Sequence, residues 1–363
     1  MMHRPVVCIA VLCAGLVGAV PARFTVDADG VPGGLMRGSA DMLSGRGRPG
    51  HVMRWQFLEH YSQNEKSSDG KIHVVYSADG DVVPGLKASI ASCIASSASP
   101  SELVIHVMVQ SKHLERLRRE LGIGSTQRIT SAGAVISLHE IPTTIVEADR
   151  GKIPIRIRQE RGELDDPEVY ARIYMDRIIP QMNFAVWLDA DTIVQKDVKE
   201  LQTRLQQSGK TIGFVSRSTK MYPNFLTGKC APELDVSWSK LKNLTAYNTG
   251  VFAVNLERWR TVKAAARIEK LVRLQNSCPG GLWKGGSQPP LTLAFQLHDP
   301  NDSDDFILFE KEWNALGFGL DQKNKDETGQ LHILHWNGMR KPWKSNGYNK
   351  AIWEPYYRRY EHL

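Results

Sequence analysis

The stretch Phe184-Ala-Val-Trp-Leu-Asp189-Ala-Asp191-Thr-Ile-Val194 decides how this chain is read. Its apolar run reads as a buried strand, and its two acids stand where the run stops being apolar. In an open α/β sheet the carboxyl end of a strand is where ligands bind. Residues two apart on a strand point to one face, so Asp189 and Asp191 could meet one hard cation. The pattern alone is common: at roughly one Asp in twenty, Asp-x-Asp arises by chance about once in a chain of this length. Asp27/Asp29, Asp79/Asp81 and Asp302/Asp304 repeat it here. Only the preceding strand singles out the pair at 189 and 191, so the case must come from the surrounding sequence.

Upstream, Ile72-His-Val-Val-Tyr76 and Leu103-Val-Ile-His-Val-Met-Val109 read as strands. A helix follows each. The first places Pro84 in its opening turn and Leu86, Ile90 and Ile94 at helical spacing; the second runs from Ser111 to Leu121 and stops at Gly122. Residues 134–138 supply a third strand, and a helix opened by Pro167 carries Tyr170, Ile173, Tyr174 and Ile178 to Pro180, just before the central strand. Downstream, Asp197 caps a helix over 198–206, residues 211–215 return to the sheet, and 247–256 form a strand entered through a Gly turn, with one long helix over 257–275. The Gly/Pro/Trp-rich stretch 278–290 reads as a loop bordering a site, and 306–309 and 331–335 as late strands. Strands alternating with helices predict a parallel sheet with helices on its faces, and the absence of a second composition break predicts one domain over 70–363.

A chain of 363 residues with 42% apolar content can bury a full core. Residues 1–22 combine His3/Arg4, an apolar run from Val6 to Val20 and small residues after it, the pattern of a signal peptide or a short signal anchor; residues 23–69 read as a stem. The expected location is the secretory pathway, in the Golgi lumen, with membrane contact only through that anchor. Three cysteines remain beyond residue 22, enough for one internal bridge, and Asn243-Leu-Thr245 and Asn301-Asp-Ser303 fit the glycosylation pattern. The net charge of +7 is spread along the chain without aromatic interleaving, which argues against a nucleic-acid module.

A second informative stretch is His335-Trp-Asn-Gly338-Met-Arg-Lys341-Pro-Trp343. A His ending an apolar strand can bind a metal, Gly338 lets backbone pass close to a ligand, and Lys341 puts a point charge near phosphate. Together with the Asp189-Ala-Asp191-Thr block and Tyr247-Asn248-Thr-Gly250-Val-Phe-Ala-Val-Asn-Leu-Glu-Arg-Trp259, these residues make the chain resemble glycosyltransferase family 8 over nearly all of 70–363. Trp313-Asn-Ala-Leu-Gly317 and the stretch at 288–290 are similar to its eukaryotic galacturonosyltransferase-like branch.

The resemblance implies a retaining, metal-dependent enzyme of the GT-A type, an α/β fold with a mostly parallel Rossmann-like sheet, helices on both faces and a single catalytic domain. It implies that Asp189, Asp191 and His335 hold Mn²⁺, with Mg²⁺ as the alternative, and that Ala190 lies against the donor, a UDP-sugar. Ser77, Ala78 and Asp79 match a uridine-binding turn, Arg172 an arginine near the donor sugar, Asn248 a sugar-facing amide, and Gly338 and Lys341 a diphosphate cradle. The acceptor would be a saccharide or glycan. Two positions depart from the family: Ser287 precedes Gln288 where bacterial members carry an Asp, and Gly80-Asp81-Val82 replaces an Asn and an aromatic. Gln288 is a poor nucleophile, so same-face attack by the acceptor is favoured over a double displacement, with Gln288 and Asn248 orienting the sugar. Trp283, Trp313 and Trp343 are candidate faces for an acceptor sugar. Two other readings are a sugar-binding transferase fold without catalysis, and a haloacid-dehalogenase-type phosphohydrolase using Asp304-Asp305 as later metal acids.

Overall fold

The computed structural model describes residues 69–142, 167–227, 230–234, 236–284, 286–297 and 305–363. The chain divides into two units, 1–64 and 65–363, and every described residue belongs to the second. The expected signal segment, most of the stem and the Asn301 acceptor lie outside the described residues.

Among the described residues, ten strands form two sheets. β1 (Ile72–Ser77), β2 (Leu103–Val109), β3 (Gln127–Ile129), β4 (Val135–Glu140), β5 (Phe184–Leu188), β7 (Ile212–Val215), β8 (Val251–Asn255) and β9 (Phe306–Phe309) make the large sheet in the order β3-β4-β2-β1-β5-β8-β7-β9. β6 (Thr192–Val194) and β10 (Ile333–His335) pair separately and antiparallel. β5 is central. Ala185 and Trp187 pack on one face, Val186 and Leu188 on the other, and all four are buried, which is why its sequence is continuously apolar. The β1, β2, β4 and β5 pairings are parallel, and so is β7 with β9, whereas β8 runs antiparallel between β5 and β7. Because two reversals cancel, β5, β7 and β9 still share one carboxyl edge.

Helices cover both faces. α1 (Val83–Ser96) and α3 (Lys199–Ser208) pack on one, with α2 (Ser111–Glu120) contributing Leu117 there. Beyond α4 (Trp238–Asn243), the opposite face takes α5 (Leu256–Thr261), α6 (Ala264–Ser277) and α7 (Gln288–Gln296). α8 (Lys350–Tyr360) closes the chain against α1 and the small sheet, where Ala88, Ile193, Leu334, Trp336 and Trp353 form a third apolar cluster.

Two expected helices change, and one strand is new. The helix expected from Pro167 to Pro180 is instead a series of single turns, Pro167–Tyr170, Ala171–Ile173 and Met175–Ile178, in which Tyr170, Ala171, Ile173, Tyr174 and Met175 are all buried and Arg172 turns in to Thr249 and Asp189, leaving no solvent face over 170–175. The helix over 257–275 breaks at Lys263, which adopts φ 53°, and so becomes α5 and α6. The short strand β3 was not anticipated; it folds back on β4 across a turn with Gly133 at φ 85°. Of the three cysteines, Cys230 and Cys278 form a disulfide and Cys93 is free and buried.

β1, β2 and β4 also line up three imidazoles. His73 Nδ1 meets His106 Nε2 at 2.9 Å, and His106 Nδ1 meets His139 Nε2 at 2.9 Å. Burial pulls all three below the usual histidine range, His139 to about 4, and in His106 the neighbouring imidazoles add to the lowering.

Candidate active site

β5 ends at Leu188, but its ladder to β8 runs one step further, with Asp189 N donating to Gly250 O at 2.7 Å. The chain then turns through Ala190 and re-enters as β6, so the two acids lie in a turn between strands rather than on one strand face. Thr192 fixes that turn: its hydroxyl donates to Asp189 O at 2.8 Å and meets Ser89 Oγ of α1 at 2.9 Å. Gly85 lets α1 come this close, since a Cβ there would stand 2.7 Å from Ala190 O and overlap the Trp343 ring.

Each acid has its own holder. Asp189 Oδ1 accepts from Arg172 Nη2 at 3.0 Å and from Trp187 Nε1 at 2.9 Å, while the guanidinium lies 4.7 Å over the Trp187 ring. Arg172 is 8% exposed and also donates to Thr249 O at 2.7 Å and to Val169 O at 3.2 Å, so it is committed to holding Asp189 and the entry to β8. Asp191 pairs with Lys341, whose ammonium also donates to Trp336 O at 2.9 Å. Burial works against the Asp191 charge, yet the Lys341 ammonium holds its carboxyl well below the usual carboxylate range.

His335 arrives through the small sheet, where its register places it opposite Thr192. Its Nε2 lies 3.2 Å from Asp191 Oδ1 and 4.0 Å from Asp189 Oδ2. Its Nδ1 meets Asn314 Oδ1 at 2.8 Å, and the Asn314 amide nitrogen is spent on Asn248 Oδ1 at 2.9 Å. The ring proton therefore sits on Nδ1, and the Nε2 lone pair faces the acids. Asp189, Asp191 and His335 thus bring three ligand atoms within 4.8 Å of one another. Three acceptors turned on each other in a largely buried place repel, and a divalent cation relieves that repulsion; two carboxylates and a neutral imidazole suit such an ion. Gly250 keeps the space open: a Cβ there would stand 2.8 Å from Asp189 Oδ2 and overlap the His335 ring.

The other expected residues gather at the same carboxyl edge. Ser77 Oγ donates to Glu168 O at 2.6 Å, Ala78 N donates to Met108 O at 3.1 Å, and Asp79 Oδ1 accepts from Asp81 N and Val82 N, fixing the turn before α1. Gly338 sits at φ 103° with Gly319 O 3.0 Å from where a Cβ would stand. Ser287 is buried and donates to Val169 O at 2.6 Å, the carbonyl that Arg172 also uses. Gln288 opens α7 instead of lying in the expected loop, and its side-chain amide makes no hydrogen bond among the described residues. Trp283 and Trp313 are core residues, 2% and 0% exposed, and offer no face to a sugar. Asp305 lies at the opposite edge of the sheet, tied to Thr211 N at 3.2 Å and Arg258 at 3.0 Å, which removes it as a metal acid beside Asp189. Asn314, Trp187, Thr249 and Gly250 were not singled out as site residues by sequence reasoning, although the Asn248-Thr-Gly250 and Trp313-Asn-Ala-Leu-Gly317 blocks contain three of them.

The sequence profile of glycosyl transferase family 8 matches residues 73–347. The chain belongs to glycosyl transferase family 8. It is 27% identical over 281 residues to Probable galacturonosyltransferase-like 5 of Arabidopsis thaliana, covering 75% of this chain and 71% of that one. It is 28% identical over 297 residues to Probable galacturonosyltransferase-like 7 of the same organism, covering 78% and 75%. Among solved structures, the fold matches the galactosyltransferase LgtC in complex with donor and acceptor sugar analogues at a TM-score of 0.53 and 15% identity, over 80% of this chain and 96% of that one. It matches mouse xyloside xylosyltransferase 1, apo form, at a TM-score of 0.52 and 14% identity, over 74% and 98%. This family 8 glycosyltransferase therefore has the GT-A architecture: one α/β domain with a mostly parallel large sheet and the candidate metal cluster at its carboxyl edge.

Proposed function

We propose that this family 8 enzyme moves a hexosyl, uronosyl or pentosyl unit from a UDP-sugar to a saccharide acceptor with retention of configuration. The observation that carries the reading is the convergence of Asp189, Asp191 and His335 beside Lys341, at the sheet edge where the β1 turn also ends. A bound divalent cation, Mn²⁺ by this mixed donor set or Mg²⁺ as the alternative, would be held by those three residues and would supply Lewis-acid charge to the diphosphate.

The chain's own groups do the rest. When the bond between the anomeric carbon and the UDP oxygen breaks, negative charge collects on the β-phosphate. Lys341, drawn from Asp191 by the diphosphate, and the open backbone at Gly338 offset that charge. Ser77, Ala78 and Asp79 receive the uridine. Arg172 keeps Asp189 in place, acting on the donor only through that acid. Gln288, whose amide is uncommitted, and Asn248 orient the transferred sugar. The acceptor hydroxyl attacks on the face the phosphate leaves, and its proton passes to the departing phosphate oxygen. A carboxylate nucleophile finds no support, because position 288 is an amide and Ser287 is buried against Val169 O.

The Cys230–Cys278 bridge and the exposed Asn243 support a lumenal, secretory-pathway location with a catalytic unit over 70–363 behind a signal segment and stem. A screen of UDP-sugars with Mn²⁺, following UDP release with and without oligosaccharide acceptors, tests the reading. Metal-dependent UDP release with at least one donor is expected. UDP binding without release from any donor would favour the non-catalytic sugar-binding fold, and phosphate release from simple phosphoesters would favour a phosphohydrolase.

A further inference from the structure

We propose that the cleft where β7 and β9 end is a subsite for a carboxylate-bearing sugar, held by Arg217 with Lys311 beside it. This rests on the transferase reading above, since it makes the sugar a substrate of the same centre. The cleft holds about 430 Å³, within the roughly 300–1,000 Å³ of small-molecule sites, and is lined by Ser216, Arg217, Ser218, Lys311 and Asn314 with an apolar wall at Leu316 and Leu331. It follows directly from the fold. β7 and β9 run parallel with Val215 opposite Phe309, Ser216 N bonds Phe309 O at 2.8 Å, and the two chains then part around the opening.

Its position along the sheet assigns it to a sugar rather than to the nucleotide. The order β1-β5-β8-β7-β9 puts the proposed uridine turn on one side of the metal acids and the cleft on the other. Strand spacing of about 4.8 Å sets the cleft on the order of 10 Å from Asp189. Asn314 joins the two, lining the cleft while its amide oxygen meets His335 Nδ1 at 2.8 Å.

The charge is what selects the ligand. Arg217 is half-buried, its Nε donates to Thr219 Oγ1 at 2.9 Å, and the other guanidinium nitrogens meet no carboxylate among the described residues. Burial without an anion pulls its pKa below the usual arginine range. Lys311 likewise has no acidic partner among the described residues, and the adjacent Glu310 is bound to Arg204 at 2.6 and 2.9 Å. A guanidinium fork matches a carboxylate with two parallel hydrogen bonds, and Ser216 and Ser218 are exposed to meet hydroxyls. A neutral sugar would leave this cation unanswered.

Calorimetric titration of the full chain with trigalacturonate and with its methyl ester, in Mn²⁺ with and without UDP, tests the subsite. The acid should bind more tightly than the ester, and Arg217→Gln should lower its affinity by about 10- to 100-fold, the range for losing charge-assisted hydrogen bonds. Arg217→Lys should recover part of the loss, and UDP affinity should stay unchanged. A second arm competes UDP-galacturonate against UDP-galactose: if Arg217→Gln weakens only UDP-galacturonate and spares trigalacturonate, the subsite stands and the donor is the source of its carboxylate. Equal binding of charged and neutral forms in both arms overturns the proposal, as does an equal loss of both forms in Arg217→Gln, the mark of a structural role. Absent UDP binding would instead count against the transferase reading, leaving the trigalacturonate titration to judge the cleft.

Discussion

Gly250→Ala is the substitution that isolates the geometry of the candidate metal cluster. Gly250 is not among the glycines with positive φ, so alanine carries no backbone penalty there and the whole effect comes from one methyl group. That methyl would stand 2.8 Å from Asp189 Oδ2 and 2.9 Å from His335 Nδ1, and overlap Cε1 of the same ring. Ordinary contact begins at 3.4 Å, so the imidazole must withdraw on the order of 1 Å. It cannot do so and keep both its bond to Asn314 and its aim at the acids. Overpacking of this kind costs about 1–3 kcal/mol, or roughly 2–12 °C of melting temperature in a domain of this size. Disturbing the orientation of a metal-binding histidine lowers metal affinity by about 10- to 100-fold. Titration calorimetry with Mn²⁺ and thermal unfolding in chelator measure the two effects separately. Wild-type affinity and melting in Gly250→Ala would refute the argument that this cross-strand glycine holds the site open.

Other outcomes follow from the same structure. His106 is buried and His73 and His139 are half-buried, all with lowered pKa, so the unfolded chain takes up protons that the folded chain refuses; stability should fall as pH drops below about 6.5 towards 4, by about 3 kcal/mol for His139 alone. Denaturant titrations across that range check it, and a flat profile contradicts it. Replacing Cys230 and Cys278 by serine opens a loop with a sequence separation of 48, and the chain-entropy relation puts the loss at about 4 kcal/mol; an unchanged denaturation midpoint would count against a constraining role for the bridge. Gln288→Ala should lower kcat with the true donor and acceptor while UDP affinity holds, and full kcat would remove Gln288 from the mechanism.

The elements whose sequence carries one period were readable, and those set by partners were not. β2 was located to the residue, because its run from Leu103 to Val109 is bounded by turn signals and buried on both faces. The stretch 184–194 reads as an apolar strand with the two acids at its carboxyl end, yet a second strand follows them around a turn, because the switch from β8 to β10 as hydrogen-bonding partner is decided by chain segments far downstream. The same cause hid Gly250. Its role depends on the antiparallel register that sets it opposite Asp189, and no spacing in the sequence states that register. Asp189, Asp191, His335 and Lys341 were legible as a set because ion and phosphate chemistry restricts residue type. Asn314 was not, since an amide that fixes a tautomer looks like any other asparagine until the histidine it touches is known.

The most direct test of the account is UDP affinity measured by calorimetry with and without Mn²⁺, in the wild type and in Asp191→Asn and His335→Ala variants that retain the wild-type circular dichroism. The account predicts tight binding only for the wild type with metal, and loss of that metal-dependent gain in both variants. UDP binding that is equally tight in chelator, or a full metal-dependent gain in either variant, would contradict the assignment of Asp189, Asp191 and His335 as the centre on which transfer depends.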